Sequence, residues 1–571
     1  MIERIRQYFI LGDSQLKLYL LAMLTGLIAG GVIILFRMTI ESTQIAFLPS
    51  GEIEDFSSLH WSWILGLPVL GGLLIGLIFG QLTSEQRSIG VVHVIERLSY
   101  HEGRLPWRNT VLQFLGAALA LISGHSVGRE GPSVHLGAAS GSLLGSSLEL
   151  PNNGVRVLVA SGSAAAIAAS FNTPIAGVIF AMEVIMMEYH IATFIPIILA
   201  SVSGAVVSRL TFGEDPFFGS ISAEMHSLWE IPYIIFLGVL VGFIATFFIH
   251  SLKFFSTFLA DHPLWQRTTL AGILVGLGGL IMPDVMGMSY HITNSSHLTE
   301  LAIGSLFILL ALKLILSSAC IGLGIPGGLI GPTLIIGATA GAALGIIGNY
   351  FFPDLSSATG FYAMIGMCAM MGATLKAPLA ALMALLELTA NPHIIMPGML
   401  AIVFSSIIVF DLFKQDSIFL SLLRARGLDY RNDPISQTLR RISVAKAMQR
   451  NFVILSNEVS PEGAKHALST NPLWIIIHEN EIPTSLLPAA DLARALNDES
   501  LETINLLNIP ASRKNLVKAS LHDSLQEAQD ILNKNNAEAL YITRVTAPMI
   551  ERTYGILTRQ AIESHYQVPH N

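Results

Sequence analysis

Arg129 and Glu130 stand side by side in the stretch Ser123–Gly145, SGHSVGREGPSVHLGAASGSLLG, where most neighbours are apolar or small. An ionisable pair in such surroundings is costly to bury and points to function. Gly128 and Gly131 flank the pair and let the main chain come close to a ligand. Pro132 suits the first turn of a helix, where its missing N–H costs nothing. The pattern predicts a break in an apolar segment, a carboxylate at the break and a helix N-terminus just after it. Free N–H groups and the positive dipole end at such a terminus attract anions. A carboxylate there occupies an anion's own site. Glu130 is therefore read as a gate, and Gly128 and Gly131 as main-chain contacts to an anion. Arg129 is read either as structural or as a long-range attraction for anions.

The segments that must carry this chemistry occur twice. Gly327–Gly345 reads GGLIGPTLIIGATAGAALG, and at an offset of 200 Gly131, Pro132, Gly137, Ala138, Gly141, Leu144 and Gly145 meet Gly331, Pro332, Gly337, Ala338, Gly341, Leu344 and Gly345. At an offset of 204, Phe171–Val184 (FNTPIAGVIFAMEV) meets Leu375–Leu388 (LKAPLAALMALLEL), pairing Pro174 with Pro378 and Glu183 with Glu387. Two blocks in the same order at nearly one offset imply an internal duplication. Corresponding Gly/Pro-interrupted apolar segments in two halves mark a transporter's binding site. One position breaks the symmetry, because Glu130 falls opposite Ile330.

Composition sets the surroundings. The chain is 52% hydrophobic and only 13% charged over 571 residues, which is the balance of a membrane protein. A net charge of −8 argues against a nucleic-acid partner. Cys320 and Cys368 both fall in apolar segments, so no disulfide framework is implied. Arg4 and Arg6 precede the apolar run Leu18–Phe36, which is too long for a signal-peptide core and reads as a retained first span after a short lead, Met1–Lys17. Apolar helical runs follow at Trp61–Leu82, Thr110–Ile122, Ser133–Leu148, Val155–Ala169, Pro174–Met187 and Ile191–Leu210. A second set covers Ile231–Phe255, Thr269–Met282, Glu300–Leu323, Leu329–Phe352, Phe361–Leu375, Pro378–Thr389 and Ile394–Phe413. Many are shorter than a simple span needs, and short broken segments are tolerated at depth only inside protein or along a cavity.

Lys and Arg flank the first span and follow the last (Lys414, Arg424, Arg426, Arg431, Arg440, Arg441), so both ends are expected in the cytoplasm. After about Arg424 the composition becomes that of a soluble domain. Strands are expected at Asn451–Leu455, Leu473–His478, Ala539–Val545 and Tyr554–Leu557. Helices are expected after Ser460-Pro461-Glu462 and at Ala489–Leu496, Leu521–Asn533 and Arg559–Tyr566. The repeated order reads as a tandem α/β module.

At these residues the chain resembles the CLC family of chloride channels and chloride/proton exchangers. GREGP at Gly128–Pro132, GGLIGP at Gly327–Pro332 and FNTPIAGVIFAMEV each resemble a family block, and together they cover the membrane part. The C-terminal module is similar to the paired cystathionine-β-synthase (CBS) domains of many members. The resemblance implies an all-α polytopic membrane domain of two inverted repeats with broken helices over residues 1–427, the halves being roughly 18–215 and 231–413. A small tandem CBS-like domain over 428–571 completes it. It also implies a homodimer in a cell membrane, a chloride path gated by Glu130, and anion contacts at Leu329, Ile330 and Gly331.

Three departures qualify it. The family's serine for the anion falls on Ile89, or on Ser88 after a one-residue slip. Its late tyrosine falls on Phe419, without a hydroxyl. Many exchangers carry a proton-relay glutamate where Val184 stands. Channel-like or weakly proton-coupled chloride movement is therefore expected, with a coupled antiporter as the alternative.

Other polar residues take plainer readings. Glu183 and Glu387 read as helix-end acids satisfied by hydrogen bonds. Lys313 is expected to pair or reach for a polar edge. His125 and His135 read as hydrogen-bonded rather than pH-sensing. In the CBS-like module Asp491 and Thr558 stand at nucleotide-contacting positions of relatives. Pro488 and Ala561 replace their partners, so an adenine nucleotide is weakly supported, and no other cofactor is implied. A divalent-cation transporter would need several converging acids. A membrane enzyme would need a motif such as HExxH or GxSxG, neither of which occurs. No enzymatic reaction is expected.

Overall fold

The computed structural model describes residues 15–214, 224–290, 301–428, 434–479, 482–496, 503–547 and 550–565. Most of the expected N-terminal lead, the start of the run at Glu300 and the end of the last helix at Tyr566 lie outside the described residues. The chain forms two compact units, one of residues 14–146 and 156–430, the other containing 147–155 and 431–571.

The first unit is helical. Its helices are α1 (Gln15–Phe47), α2 (Trp61–Gly80), α3 (Gly90–Tyr100), α4 (Trp107–Ile122), α5 (Glu130–Ser147), α6 (Asn152–Phe171), α7 (Pro174–Phe180) and α8 (Ile191–Phe212). The second half supplies α9 (Ile231–Thr257), α10 (Leu264–Ile281), α11 (Ile303–Leu323), α12 (Ile330–Phe351), α13 (Thr359–Leu375), α14 (Pro378–Thr389), α15 (Ile395–Ser406) and α16 (Ile418–Ala425). Among the described residues nine helical segments are long and apolar enough to cross a membrane. Every expected run forms a helix. The sequence reading missed α3 and α16, whose mixed polar and apolar faces carry no uniform hydropathy signal.

The duplication is visible in the backbone. Gly124 and Gly324, 200 residues apart, both adopt left-handed geometry (φ +77° and +104°). Each ends a helix with paired bonds to the preceding turns: His125 N–H to Ala120 O and Ile325 N–H to Cys320 O. Glycine takes this conformation without a Cβ penalty, and the helix-ending motif requires it. The glycine rows that follow let helices touch. A Cβ at Gly137 or Gly141 would strike the main chain of Gly162 or Leu158 on α6, and one at Gly337 or Gly341 would strike Gly366 or Tyr362 on α13. Small residues permit this close helix contact, which is how membrane helices associate. Both pairs, α5 on α6 and α12 on α13, are thus built by equivalent residues.

The second unit contains a six-stranded mixed sheet. Its strands are β1 (Phe452–Ser456), β3 (Trp474–Glu479), β4 (Ile482–Pro488), β6 (Lys514–Ser520), β7 (Ala539–Ala547) and β8 (Ile550–Thr558), in that spatial order; β2 (Glu458–Val459) pairs with β5 (Ile504–Asn505) apart from it. β1 runs parallel to β3 and β3 antiparallel to β4; β6 runs parallel to β7 and β7 antiparallel to β8. The same strand pattern therefore occurs twice, and β4 joins the copies by pairing with β6. This is the tandem CBS-like arrangement. Ser460 caps the helix Pro461–Leu468 as expected, its side chain accepting from Gly463 N–H. β4 and β6 were not expected. Pro483 and Pro488 weaken the strand signal of β4, and Pro483 sits beside a register shift, where a strand accepts proline.

Candidate functional site

Glu130 is the first residue of α5 and is fully buried. Its carboxylate is held by donors from the opposite half of the unit. Oε2 accepts from Gly331 N–H at 3.0 Å, and Oε1 accepts from the Tyr290 hydroxyl. Gly331 lies in the first turn of α12, so the acid of one half sits on the free amide end of the other half's matching helix. The two helix breaks are tied directly. Gly128 N–H donates to Gly328 O at 2.8 Å and Gly328 N–H to Gly128 O at 2.7 Å.

Close approach explains the glycines. A Cβ at Gly128 would run into Glu130 Oε2, and one at Gly131 would lie 2.8 Å from Gly328 Cα. One at Gly331 would lie 2.6 Å from the Tyr290 hydroxyl. Leu329 caps α12, and Ile330 beside it is buried. Ile330, Leu334, Ile167, Phe171, Phe180 and Leu388 line a small apolar cavity between the repeats.

Arg129 does not hold Glu130. Its guanidinium lies 3.2 Å from Glu41 on α1 and donates to Ser170 O. Glu41 also takes Arg37 at 2.5 Å, so one carboxylate is shared by two guanidinium groups.

Tyr290 was missed by the sequence reading. It lies in an irregular segment after α10, 160 residues from Glu130 in the chain, and no repeat or helical spacing marks it. Two buried charges hold the segment. Glu54 accepts from Met288 N–H at 2.6 Å and from Tyr290 N–H at 3.3 Å. Lys313 Nζ donates to Ser289 Oγ at 2.7 Å, to Gly287 O at 2.8 Å and to Val285 O at 3.2 Å. Lys313 is thus paired, as expected, but with main-chain carbonyls beside the site rather than at a membrane edge.

Ser88 and Ile89 lead into α3, and Phe419 stands in α16. Ile89 caps α3, and Gly90 N–H donates to Gln113. The Ser88 carbonyl accepts from Asn109 Nδ2 at 2.9 Å. Phe419 is buried in α16, which packs against α3. Among the described residues no hydrogen bond links Ser88 or Ile89 to Glu130.

Glu183 and Glu387 form a reciprocal pair. Glu183 accepts from Leu379 and Ala380 N–H at the start of α14, and Glu387 from Ile175 and Ala176 N–H at the start of α7. Each half caps the other's helix. Val184 next to Glu183 is buried. His135 Nε2 lies 2.9 Å from His93 Nδ1, whose other nitrogen accepts from Arg97. His125 Nδ1 lies 3.0 Å from Ser123 Oγ. Both histidines are hydrogen-bonded, as the plainer reading has it.

In the second unit the Asp491 carboxylate takes Ser512 N–H and Arg494, and the Thr558 hydroxyl accepts from Ala561 N–H. Among the described residues no three His, Cys, Asp or Glu side chains gather as metal ligands.

Comparison with known proteins agrees with this geometry. Residues 71–409 match the family model described as voltage gated chloride channel. A ClcB-like protein of Ralstonia nicotianae is 30% identical over 380 residues, covering 64% of this chain and 88% of the relative. The H(+)/Cl(-) exchange transporter ClcA of Vibrio cholerae is 28% identical over 414 residues, covering 69% and 86%. The crystal structure of a slow cyanobacterial Cl-/H+ antiporter superposes with a TM-score of 0.64 at 22% identity, covering 73% of this chain and 99% of that one. With more than half its length matched and its paired helix breaks in place, the chain belongs to the voltage-gated chloride channel (CLC) family.

Proposed function

We propose that the protein moves chloride across a membrane through the site where Glu130 now sits, with the carboxylate as its gate. Chloride transport itself follows from the family; the gate and the mode are our reading. The observation that carries it is the Glu130 carboxylate resting on the Gly331 amide at the start of α12. A carboxylate and a chloride ion compete for the same donors, because both are anionic acceptors. Protonation removes the negative charge, weakens that hold and lets chloride in. The path bears no enzymatic chemistry.

For the mode we favour channel-like or weakly proton-coupled movement. A proton crossing an apolar interior needs a titratable side chain or ordered water to lower its cost. Val184 supplies none. Glu183 beside it is committed to the amides of α14, and the cavity next to Ile330 is lined, among the described residues, by apolar side chains and Thr173, with no titratable group. Coupled exchange is the second reading, favoured by the likeness to the Vibrio cholerae H(+)/Cl(-) exchange transporter.

The test is parallel chloride and proton flux in proteoliposomes under a chloride gradient. Chloride flux with no uphill proton movement supports the channel-like reading. Proton movement at a fixed ratio to chloride, lost in Glu130→Gln, replaces it with exchange. Wild-type pH dependence in Glu130→Gln removes Glu130 from the gate.

A further inference from the structure

Of the family's two hydroxyl positions for the anion, the late one holds Phe419 here, without a hydroxyl, and the early one falls on Ile89, or on Ser88 after a one-residue slip. The site nevertheless has a hydroxyl, delivered by a different element. Tyr290 is 8% exposed, and its hydroxyl donates to the Glu130 carboxylate beside the Gly331 amide. We propose that the Tyr290 hydroxyl is a chloride ligand, which together with Gly331 N–H binds the anion once the Glu130 carboxylate has left. This proposal rests on the reading of Glu130 as the anion's competitor.

Three observations carry it. The first is chemical. The donors that hold a buried carboxylate are available to a chloride ion in the same place, because each is an anion offering only acceptor capacity. The second is positional. Tyr290 does not follow Glu130 when the acid moves, because its own main chain is anchored elsewhere. Glu54 takes the Tyr290 and Met288 amides. Ser289 next to it is held by Lys313 Nζ and by its own bond to Asp284 O at 2.6 Å. The ring is also fixed, meeting Phe171 edge to face at a centroid distance of 6.0 Å, with the Arg129 guanidinium 5.9 Å from its centre. A donor held in this way stays aimed at the site with no reorganisation, which favours binding. The third is spatial. A Cβ at position 331 would lie 2.6 Å from the hydroxyl, so the glycine keeps the phenol and the amide within reach of one ligand.

In this arrangement Glu54 and Lys313 are positioning residues. They act on chloride only through Tyr290.

The experiment measures chloride binding to the purified full-length protein by isothermal titration calorimetry, in two backgrounds. Glu130→Ala removes the competing carboxylate, so a second change at Tyr290 reads only the hydroxyl's contact with the anion. Tyr290→Phe keeps the ring against Phe171 and deletes the donor. Losing a hydrogen bond to a charged group weakens binding by roughly tenfold or more. The expected result is therefore an affinity for chloride at least about tenfold weaker in Glu130→Ala/Tyr290→Phe than in Glu130→Ala. Equal affinities in the two proteins overturn the proposal. So does a Tyr290→Phe variant with faster flux but no affinity difference in the Glu130→Ala background, since that makes the hydroxyl a latch for the carboxylate alone. Failure of the gate reading looks different. There Glu130→Ala binds chloride no more tightly than wild type, while the comparison at Tyr290 within that background still reports on the hydroxyl.

Discussion

Glu130 rests on an amide and a phenol that belong to other elements, and in the proposed gate a proton is what makes leaving them inexpensive. Chloride flux should therefore rise as pH falls through the titration of this carboxyl. In Glu130→Gln the neutral side chain no longer changes charge, and flux in proteoliposomes should become independent of pH. Gly331→Ala tests the donor side of the same contact. Its Cβ would crowd the Tyr290 hydroxyl, and flux measured at saturating chloride should fall well below wild type. Lys313 belongs to the support of the site. Lys313→Met leaves Ser289 and two carbonyls of the 285–289 segment without their shared donor. Stranding buried polar groups in this way should cost about 2–3 kcal/mol, visible as a lower melting temperature in detergent.

At the scale of elements, the two halves hold each other by exchange. The acid ending one repeat block caps the proline-started helix of the other half, in both directions. Glu183→Ala and Glu387→Ala each remove a charge-assisted cap, and each should lower stability by about 1–2 kcal/mol. Equivalent geometry predicts similar losses in thermal denaturation, with proton coupling unchanged by either. A change in coupling in Glu183→Ala alone would show that Glu183 has a transport role beyond its cap. The break helices α5 and α12 each follow a helix that ends on a left-handed glycine, and the breaks are joined across the centre by the Gly128–Gly328 pair. At that joint the two halves exchange equivalent bonds, and next to it only one half supplies an acid.

For the whole molecule, we propose that the chain works as a homodimer with a separate path in each subunit, as the family resemblance implies, and with both ends in the cytoplasm, as the Lys/Arg bias implies. Single-molecule photobleaching in liposomes should show two steps per particle. We also propose that the CBS-like module contributes to assembly and binds adenine nucleotide weakly or not at all. Asp491 and Thr558 spend their polar atoms on Ser512, Arg494 and Ala561 within the protein. Calorimetry of the full chain with ATP should give no tight binding. Tight binding that disappears in Asp491→Ala would refute this.

Much of the architecture was legible because the signals are local or repeated. Hydropathy marks helices in a membrane protein, where each must satisfy its own backbone. The offsets of 200 and 204 disclose two halves, and Glu130 against Ile330 discloses the asymmetric acid. Gly128, Gly131 and Gly331 could be singled out because close approach leaves only glycine. The helices α3 and α16 were not legible by hydropathy because they are short and amphipathic rather than apolar throughout, and β4 was masked by its two prolines.

What only the tertiary structure decided is which distant groups meet. Arg129 adjoins Glu130 in the chain, yet its guanidinium contacts Glu41 on α1, because neighbours at a helix start point in different directions. Tyr290, Glu54 and Lys313 are far from Glu130 in sequence and share no spacing with it, yet they build the donor side of its site. Composition and repetition determine that a membrane frame with a buried acid must form. The partners of that acid are set by how separate segments pack, and packing between residues that far apart leaves no trace in local pattern.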